Sequence, residues 1–293
     1  LNECIRLTER NKNEYKKFIC METERGKVLW VKENMEPPRY ISDDGKTIIG
    51  VPGYHFFSSV IFYDEYGNEK KRVGGLWGPQ GCHAMSADGE MFCVITRINQ
   101  KDTSVMAVAA YDGAGKQTWL TELPGTWPRG DPCIAVSPTH KYVAVTLWGV
   151  NWWQDAYTFL LNEKGIVKNT FNHKTYYPVF SFDDKYLISG TVRDTIYFIS
   201  THNGEVLWSK VLGGHSYKKP IVSKDGQAIF FISQVSERHP AYLLDKDGDI
   251  IWMGSHELKN AIGLSASGRL FVPSSAPELI IYKFYLEVEH ENH

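Results

Sequence analysis

A short serine-containing pattern occurs six times along this chain, and its spacing constrains the fold more than any other feature. In each copy a turn segment such as Asp-Asp-Gly-Lys follows the serine, and the six serines are Ser42, Ser86, Ser137, Ser181, Ser223 and Ser265. Successive serines lie 44, 51, 44, 42 and 42 residues apart. A repeat of this length has room for four short strands. The sequence therefore predicts a repetitive all-β protein.

A second repeat lies between these serines and marks another turn. A tryptophan follows a turn glycine by four residues in four places, which are Gly26 and Trp30, Gly115 and Trp119, Gly204 and Trp208, and Gly248 and Trp252. The same turn is marked by Gly67 and Gly165, with Lys71 and Asn169 at the tryptophan position. Glycine permits the positive φ that a tight hairpin needs. We expect the four tryptophans to occupy equivalent positions on successive fourth strands and to be mostly buried.

The two repeats together predict a β-propeller of four-stranded blades, formed as a single domain over residues 1–293. Seven blades are favoured because the sequence contains seven predicted third strands. The first and last blades are incomplete, since the first unit lacks a first strand and the last lacks a clear fourth. The predicted units cover residues 1–33, 34–73, 77–121, 128–171, 174–211, 215–254 and 257–288. The alternative is six blades, in which residues 28–31 complete the three C-terminal strands.

Composition limits the classes of partner. The chain has 293 residues, of which 43% are hydrophobic and 13% aromatic, enough for a large core. A net charge of -2 with intermixed signs argues against a nucleic-acid partner, which requires a basic stripe. There is no run of 18 apolar residues, so no membrane span is predicted. The chain begins at Leu1 without a visible signal peptide, so the compartment stays open, as does a processed or truncated N-terminus.

The two turns carry a family resemblance. Residues 42–46, Ser-Asp-Asp-Gly-Lys, and residues 112–119, Asp-Gly-Ala-Gly-Lys-Gln-Thr-Trp, resemble the hairpins of WD-repeat-like and quinoprotein-like (PQQ-like) propellers. The likeness covers about residues 4–286. It implies the architecture but no single function, since such folds serve as scaffolds, assembly factors, sensors and enzymes. The quinoprotein dehydrogenases carry an adjacent cysteine pair that this chain lacks, so no cofactor is expected.

The resemblance also implies that the two ends of the propeller differ. Both repeated turns would fall on one rim, and the second-to-third and fourth-to-first connections would fall on the opposite rim, where the units diverge in sequence. We call this second end the variable rim, and binding groups are usually found on such loops. Its candidate binding residues are Arg129, Asp131, Trp148, Asn151, Trp152, Trp153, Asp155, His173, Tyr176, Tyr177, His215 and Lys218.

The tryptophans of residues 148–155 are the strongest candidates, because indoles form stacking walls for partner surfaces or sugars. Packing of these indoles between blades is an equally good reading. The sequence thus predicts a non-catalytic scaffold that recognises a protein, peptide or glycan through the variable rim. The alternative is a hydrolase-like or lyase-like enzyme with rim His, Asp and Arg residues at a channel mouth. Oligomeric state stays open.

Histidines and cysteines allow two further expectations. His83, His173, His215 and His256 each precede a predicted first strand, but at unequal distances from the next serine, so unrelated loop residues are favoured over a metal site. If residues 86–89 form a four-residue turn, Cys82 faces Cys93 across two strands. Buried thiols are favoured over a disulfide, because the five cysteines show no framework pattern.

Overall fold

The protein consists of small antiparallel β-sheets that follow one another along the chain. The computed structural model describes residues 2–7, 17–22, 27–33, 38–51, 57–77, 82–100, 103–124, 133–148, 156–172, 175–191, 195–213, 215–216, 219–234, 240–254, 261–264, 270–273 and 282–283. Every regular element within them is a strand. No described segment forms a helix able to cross a membrane. The chain divides into two compact units, Leu1–Phe171 and Asn172–His293.

The first unit contains four sheets, in which consecutive strands are neighbours. The first sheet has three described strands and the others have four. The strands are β1 (Asn2–Leu7), β2 (Lys17–Glu22), β3 (Val28–Glu33); β4 (Pro38–Ile41), β5 (Ile48–Gly50), β6 (Phe57–Tyr63), β7 (Glu69–Trp77); β8 (His83–Met85), β9 (Phe92–Gln100), β10 (Thr103–Tyr111), β11 (Gln117–Leu123); and β12 (Cys133–Val136), β13 (Tyr142–Trp148), β14 (Ala156–Asn162), β15 (Val167–Phe171).

The second unit contains three sheets of the same kind. In its middle sheet the first strand is split into two pieces, β20 and β21, that both pair with β22. The strands are β16 (Thr175–Phe180), β17 (Tyr186–Thr191), β18 (Thr195–Ser200), β19 (Val206–Val211); β20 (His215–Ser216), β21 (Ile221–Val222), β22 (Ala228–Gln234), β23 (Ala241–Asp245), β24 (Ile250–Gly254); and β25 (Ala261–Leu264), β26 (Leu270–Pro273), β27 (Tyr282–Lys283).

The predicted all-β class is confirmed for the described residues, with consecutive strands paired in small antiparallel sheets. The described part of the first sheet has three strands. β3, which holds residues 28–31, pairs with β2 of its own sheet. The number of blades and the single-domain assignment stay predictions.

The third sheet is apolar on both faces because it packs between the second and the fourth. In β9, the buried Phe92 and Val94 join a cluster with the second sheet, while Cys93 and Ile95 join a cluster with the fourth. Successive side chains of a strand point to opposite faces, so alternate residues pack against alternate neighbours. This explains why β9 has buried apolar side chains on both faces over residues 92–95.

The repeated serine closes the turn between the first and second strands. Ser42 Oγ accepts the Thr47 N–H at 3.0 Å and donates to Asp44 Oδ1 at 2.7 Å. The same backbone bond to the serine recurs at Ser86, Ser137, Ser181 and Ser223, at 2.9–3.0 Å. Gly45, Gly89 and Gly226 have positive φ in these turns, and His140 and Asp184 take the same conformation in the two turns without glycine.

The tryptophans occupy equivalent positions, as predicted. Trp30, Trp119, Trp208 and Trp252 each pair next to a β-bulge in the last described strand of their sheet. Three indole Nε1–H groups donate to the following sheet, from Trp30 to Glu65 O at 2.7 Å, from Trp119 to Glu163 O at 2.9 Å and from Trp208 to Lys246 O at 2.8 Å. The four side chains are largely but not fully buried. Three of the indoles stay partly exposed because they lie along the following turn.

The cysteine register was also predicted wrongly. The hairpin closes between Ser86 N–H and Met91 O at 2.9 Å, so the turn begins one residue later than expected. Cys93 therefore faces Ala84, and Cys82 lies opposite Ile95. Cys20, Cys82, Cys93 and Cys133 are buried thiols, as favoured from the sequence.

Candidate functional site

The two ends of each sheet have different chemistry. Because the strands alternate in direction, the first-to-second and third-to-fourth turns lie at one end of a sheet, which we call the turn rim. In the fifth sheet Thr201, in the second of these turns, donates from its N–H to Lys185 O at 2.9 Å and from its hydroxyl to Asp184 O at 2.5 Å. The expectation that both repeated turns share one rim is confirmed in this sheet.

Polar groups of the turn rim are used to join neighbouring sheets. Asp43 N–H donates to Ala87 O at 2.7 Å, and Asp88 N–H donates to Pro138 O at 3.3 Å. Asp88 Oδ2 also lies 2.7 Å from Nδ1 of His140. These contacts connect the turns of the second, third and fourth sheets. The polar groups at this end of the first unit are therefore used in hydrogen bonds between its own sheets.

Carboxylates of the turn rim are held in the ionised form by turn donors. The backbone N–H of Lys46 donates to Asp44 and lowers the pKa of Asp44 to about 2, and the Ser42 hydroxyl adds to this effect. At Asp88 and Asp183, burial is the largest influence and opposes ionisation, but both pKa values are lowered because several donors together outweigh it, namely Ser86, the Glu90 N–H and His140 at Asp88, and Ser181 and Lys185 at Asp183. Such carboxylates are turn-stabilising groups, since a proton donor in catalysis needs the opposite shift.

The variable rim holds the candidate binding residues, and the structure describes four of them. Trp148 ends β13 opposite Ala156, Tyr176 lies on β16 opposite Gly190, and His215 begins β20 opposite Gln234. Tyr177 follows Tyr176. Outside the described residues lie Arg129, Asp131, Asn151, Trp152, Trp153, Asp155, His173 and Lys218. Whether these twelve residues form one site stays a prediction.

Tyr177 is in an unusual backbone conformation at this rim. Its φ is 52°, in the left-handed region that a bulky residue rarely adopts. The residue lies in a bulge of β16, where Tyr177 and Pro178 oppose the single residue Ser189. Strained positions of this kind cluster at ligand-binding sites, so Tyr177 is the described candidate with structural support of its own.

Bulges recur in the first strands and were not predicted from the sequence. They interrupt pairing in β4, β16, β25 and between β20 and β21, while the described pairing of β8 and β12 is regular. Each includes the residue three positions before the repeated serine, namely Arg39, Pro178, Pro220 and Ile262. A bulge redirects side chains, and bulges are common next to functional sites. The prolines were the available signal, since proline cannot donate to a ladder.

Beside the first of these bulges, Tyr40 connects the first strands of the second and third sheets. Its hydroxyl lies 2.7 Å from His83 O and 2.9 Å from His83 Nδ1. The carbonyl has no proton, so the hydroxyl donates to it and Nδ1–H donates to the hydroxyl oxygen. The Tyr40 ring meets the imidazole edge-on at 89°, and the imidazole stacks on Phe92 at 26°.

Both rings are neutral near pH 7. Burial lowers the pKa of His83 to about 4, and the positive charge of Arg39 adds to this effect. Burial raises the pKa of Tyr40 to about 12, which Arg39 partly opposes. His83 had been considered among loop histidines, and it instead belongs to the packing between two sheets. No group of three metal-ligating side chains occurs in the described part of the chain.

A family model described as outer membrane protein assembly factor BamB matches residues 101–265, more than half of the chain. Among solved structures, the chain resembles one from a mitotic checkpoint complex, with a TM-score of 0.62, 14% identity and coverage of 97% of this chain and 87% of the other.

BamB from Moraxella catarrhalis has a TM-score of 0.59 and 15% identity, with coverage of 96% of this chain and 84% of the other. Hydrazine synthase from Kuenenia stuttgartiensis has a TM-score of 0.59 and 15% identity, with coverage of 92% of this chain and 89% of the other. At these identities the structures show the shared fold, and together with the family match they confirm the predicted propeller of the WD-like and PQQ-like type. No curated protein matches the sequence significantly.

Proposed function

We propose that this chain is a non-catalytic propeller that recognises a partner protein. The premise is that the chain belongs to the family of the outer membrane protein assembly factor BamB. The variable rim is the recognition surface, and residues 148–155 are its centre. The test described below could instead identify a peptide or a glycan as the ligand of the same rim.

The difference between the two rims is the observation that carries this proposal. At the turn rim, the repeated serines and aspartates bond to their own turns, and Asp43, Asp88 and His140 bond to the next sheet. At the other end of their own sheets, Trp148 ends β13 while Tyr176 and His215 lie at the start of β16 and β20, and aromatic side chains are prominent among binding hot spots. The left-handed backbone of Tyr177 supports a binding role at that end of the fifth sheet.

The relatives support a protein as the partner. The family description names an assembly factor, and one structural relative is a chain of a mitotic checkpoint complex. A rigid scaffold of packed sheets that presents loops at one end suits this role, because little conformational entropy is lost on binding.

Site-specific photo-crosslinking tests the assignment of the rim. A benzophenone amino acid placed at Trp148 is expected to cross-link a partner protein in cells, and the same residue at Lys185, an exposed turn-rim position, is the matched control. The Trp152→Ala/Trp153→Ala variant should then bind the purified partner at least about 30-fold more weakly, which corresponds to about 2 kcal/mol, with its fold intact. Equal cross-linking from both positions, or unchanged affinity of the folded double variant, would refute recognition by the variable rim.

A further inference from the structure

Two cysteines lie opposite each other in the first sheet. Cys4 on β1 pairs with Cys20 on β2, in a register that is continuous over the whole of β1. Directly opposite residues of an antiparallel pair share one face of the sheet, and their Cα atoms are about 4.5 or 5.5 Å apart, depending on the type of pair. Both separations lie within the range of about 4.4–6.8 Å that a disulfide spans. The backbone of the first sheet therefore suits a bridge between these two residues.

The other three cysteines of the chain have no cysteine opposite them in the described strand pairs. The residues opposite them are Ala84 for Cys93, Ile95 for Cys82 and Thr146 for Cys133. The register thus selects Cys4 and Cys20 from the five cysteines of the sequence.

The pair lies on the face of the first sheet that packs against the second sheet. Cys20 is a free thiol, and only 2% of its surface is exposed. Phe18, two residues earlier in β2 and therefore on the same face, joins a buried cluster with Ile48 and Ile61 of the second sheet. Trp30 pairs with Cys20 on β3 and packs against the same cluster. Since this face is covered, a bridge within the sheet is favoured over a bridge to another protein chain.

The position of β1 in its sheet gives small reagents a route to the pair. Within the described sheet β1 is the terminal strand and pairs with β2 alone, whereas β9, which carries Cys93, has a strand on each side. Local opening of an edge element costs less free energy than global unfolding. A small oxidant can therefore reach Cys4 and Cys20 while the rest of the protein stays folded.

We propose that Cys4 and Cys20 are a modification site, at which a small disulfide such as oxidised glutathione produces a cross-strand bridge between β1 and β2. One cysteine thiolate attacks the small disulfide, forms a mixed disulfide and releases one reduced thiol. The thiolate of the other cysteine then attacks the protein sulfur of the mixed disulfide and releases a second reduced thiol. Two electrons pass from the cysteines to the small disulfide, and the two cysteine protons end on the released thiols. The site depends on the first sheet and not on recognition by the variable rim.

Peptide mapping of the full chain tests the bridge. The folded protein is incubated with mixtures of reduced and oxidised glutathione, its remaining thiols are blocked with iodoacetamide in denaturant, and it is digested with trypsin without reduction. We expect a disulfide between the peptide that ends at Arg6 and the peptide of residues 18–25, in an amount that rises with the fraction of oxidised glutathione. In a chain unfolded by urea before oxidation, Cys82 and Cys93 are closer in sequence than Cys4 and Cys20 and should pair at least as often.

Cys4→Ser is the test variant, and Cys93→Ala is the matched control, because Cys93 is a buried cysteine that faces Ala84. Oxidation should raise the urea midpoint of the wild type and of the control, since the bridge constrains the unfolded chain. It should leave the midpoint of Cys4→Ser unchanged. If the control does not fold, the maps of the folded and unfolded wild type still decide.

Three results would overturn the proposal. The first is recovery of both Cys4 and Cys20 as blocked thiols after oxidation of the folded protein. The second is a bridge between another pair of cysteines as the main product, or the same preference for Cys4–Cys20 in the unfolded chain. The third is a gain in the urea midpoint of Cys4→Ser equal to that of the wild type. None of these results would affect the cross-linking at Trp148.

Discussion

The contact between a fourth-strand tryptophan and the next turn makes Gly165→Ala a sharp test of the packing between sheets. A Cβ at Gly165 would lie 2.6 Å from Cε3 of Trp119 and 2.6 Å from Oγ1 of Thr121, and the φ of Gly165 is +76°. Two costs therefore add. The left-handed backbone costs an alanine about 1–2 kcal/mol, and displacement of Trp119 removes its hydrogen bond to Glu163 O, worth about 0.5–1.5 kcal/mol.

We expect Gly165→Ala to lower the free energy of unfolding by about 1.5–3.5 kcal/mol, measured by urea denaturation. Gly75 separates the two costs, because its φ is +75° and a Cβ there would meet nothing within 4 Å. Gly75→Ala should therefore lose only the backbone contribution of about 1–2 kcal/mol. Gly74 has the same open space without a positive φ, so Gly74→Ala should stay within about 0.5 kcal/mol of the wild type.

Removing the indole should relieve the clash. On a Trp119→Ala background, the additional loss caused by Gly165→Ala should fall toward the value found for Gly75→Ala, while the contact of the new Cβ with Oγ1 of Thr121 at 2.6 Å remains. The reasoning is refuted if Gly165→Ala costs no more than Gly75→Ala, or if its cost is the same with and without Trp119.

Three further predictions follow from single side chains. The pKa of His83 is lowered from 6.5 to about 4, so the unfolded chain binds the extra proton first, and stability should fall as the pH drops through this window. Unfolding measured between pH 7 and 4 should show a smaller loss in a folded His83→Gln variant. Ser223→Ala should cost about 1–3 kcal/mol, because the buried Ala228 N–H loses its acceptor at 2.9 Å, whereas Ser209→Ala, at an exposed position, should be neutral in the same urea assay. Burial raises the pKa of Cys93, so its thiol should react with a disulfide reagent only after denaturation; reaction in the native state would contradict its position in the core.

The sequence predicted the parts of the fold that depend on local chemistry. A turn that needs a positive φ or a serine cap is visible in a few consecutive residues, and these turns join neighbouring strands within a sheet. The position of each tryptophan followed from its distance to the turn glycine. Its hydrogen-bond acceptor did not, because the Nε1–H bonds to a carbonyl of the following sheet, 35 residues away for Trp30 and 44 for Trp119.

Strand register and bulges were beyond the sequence pattern. The pairing of Cys93 with Ala84 depends on one residue at the start of a turn, and several turn lengths suit the same sequence. The bulge at Arg39 lies beside Tyr40, whose hydroxyl bonds to His83 on the first strand of the next sheet. A contact between strands of two different sheets is not visible in the local sequence. Twelve candidate residues of the variable rim were named, and the structure describes four of them. Trp148 ends β13, Tyr176 and Tyr177 lie near the start of β16, and His215 begins β20.

The direction of the indole hydrogen bonds means that the donor of each bond is synthesised before its acceptor. In the three described cases the donor tryptophan precedes its acceptor carbonyl, by 35, 44 and 38 residues. During synthesis at about 5–20 residues per second, each indole therefore leaves the ribosome roughly 2–9 seconds before the turn that receives it. A nascent chain that ends between one of these three tryptophans and its acceptor therefore has an indole N–H without that partner. In ribosome-arrested chains of increasing length, protection of each indole N–H should appear only after the following turn has emerged.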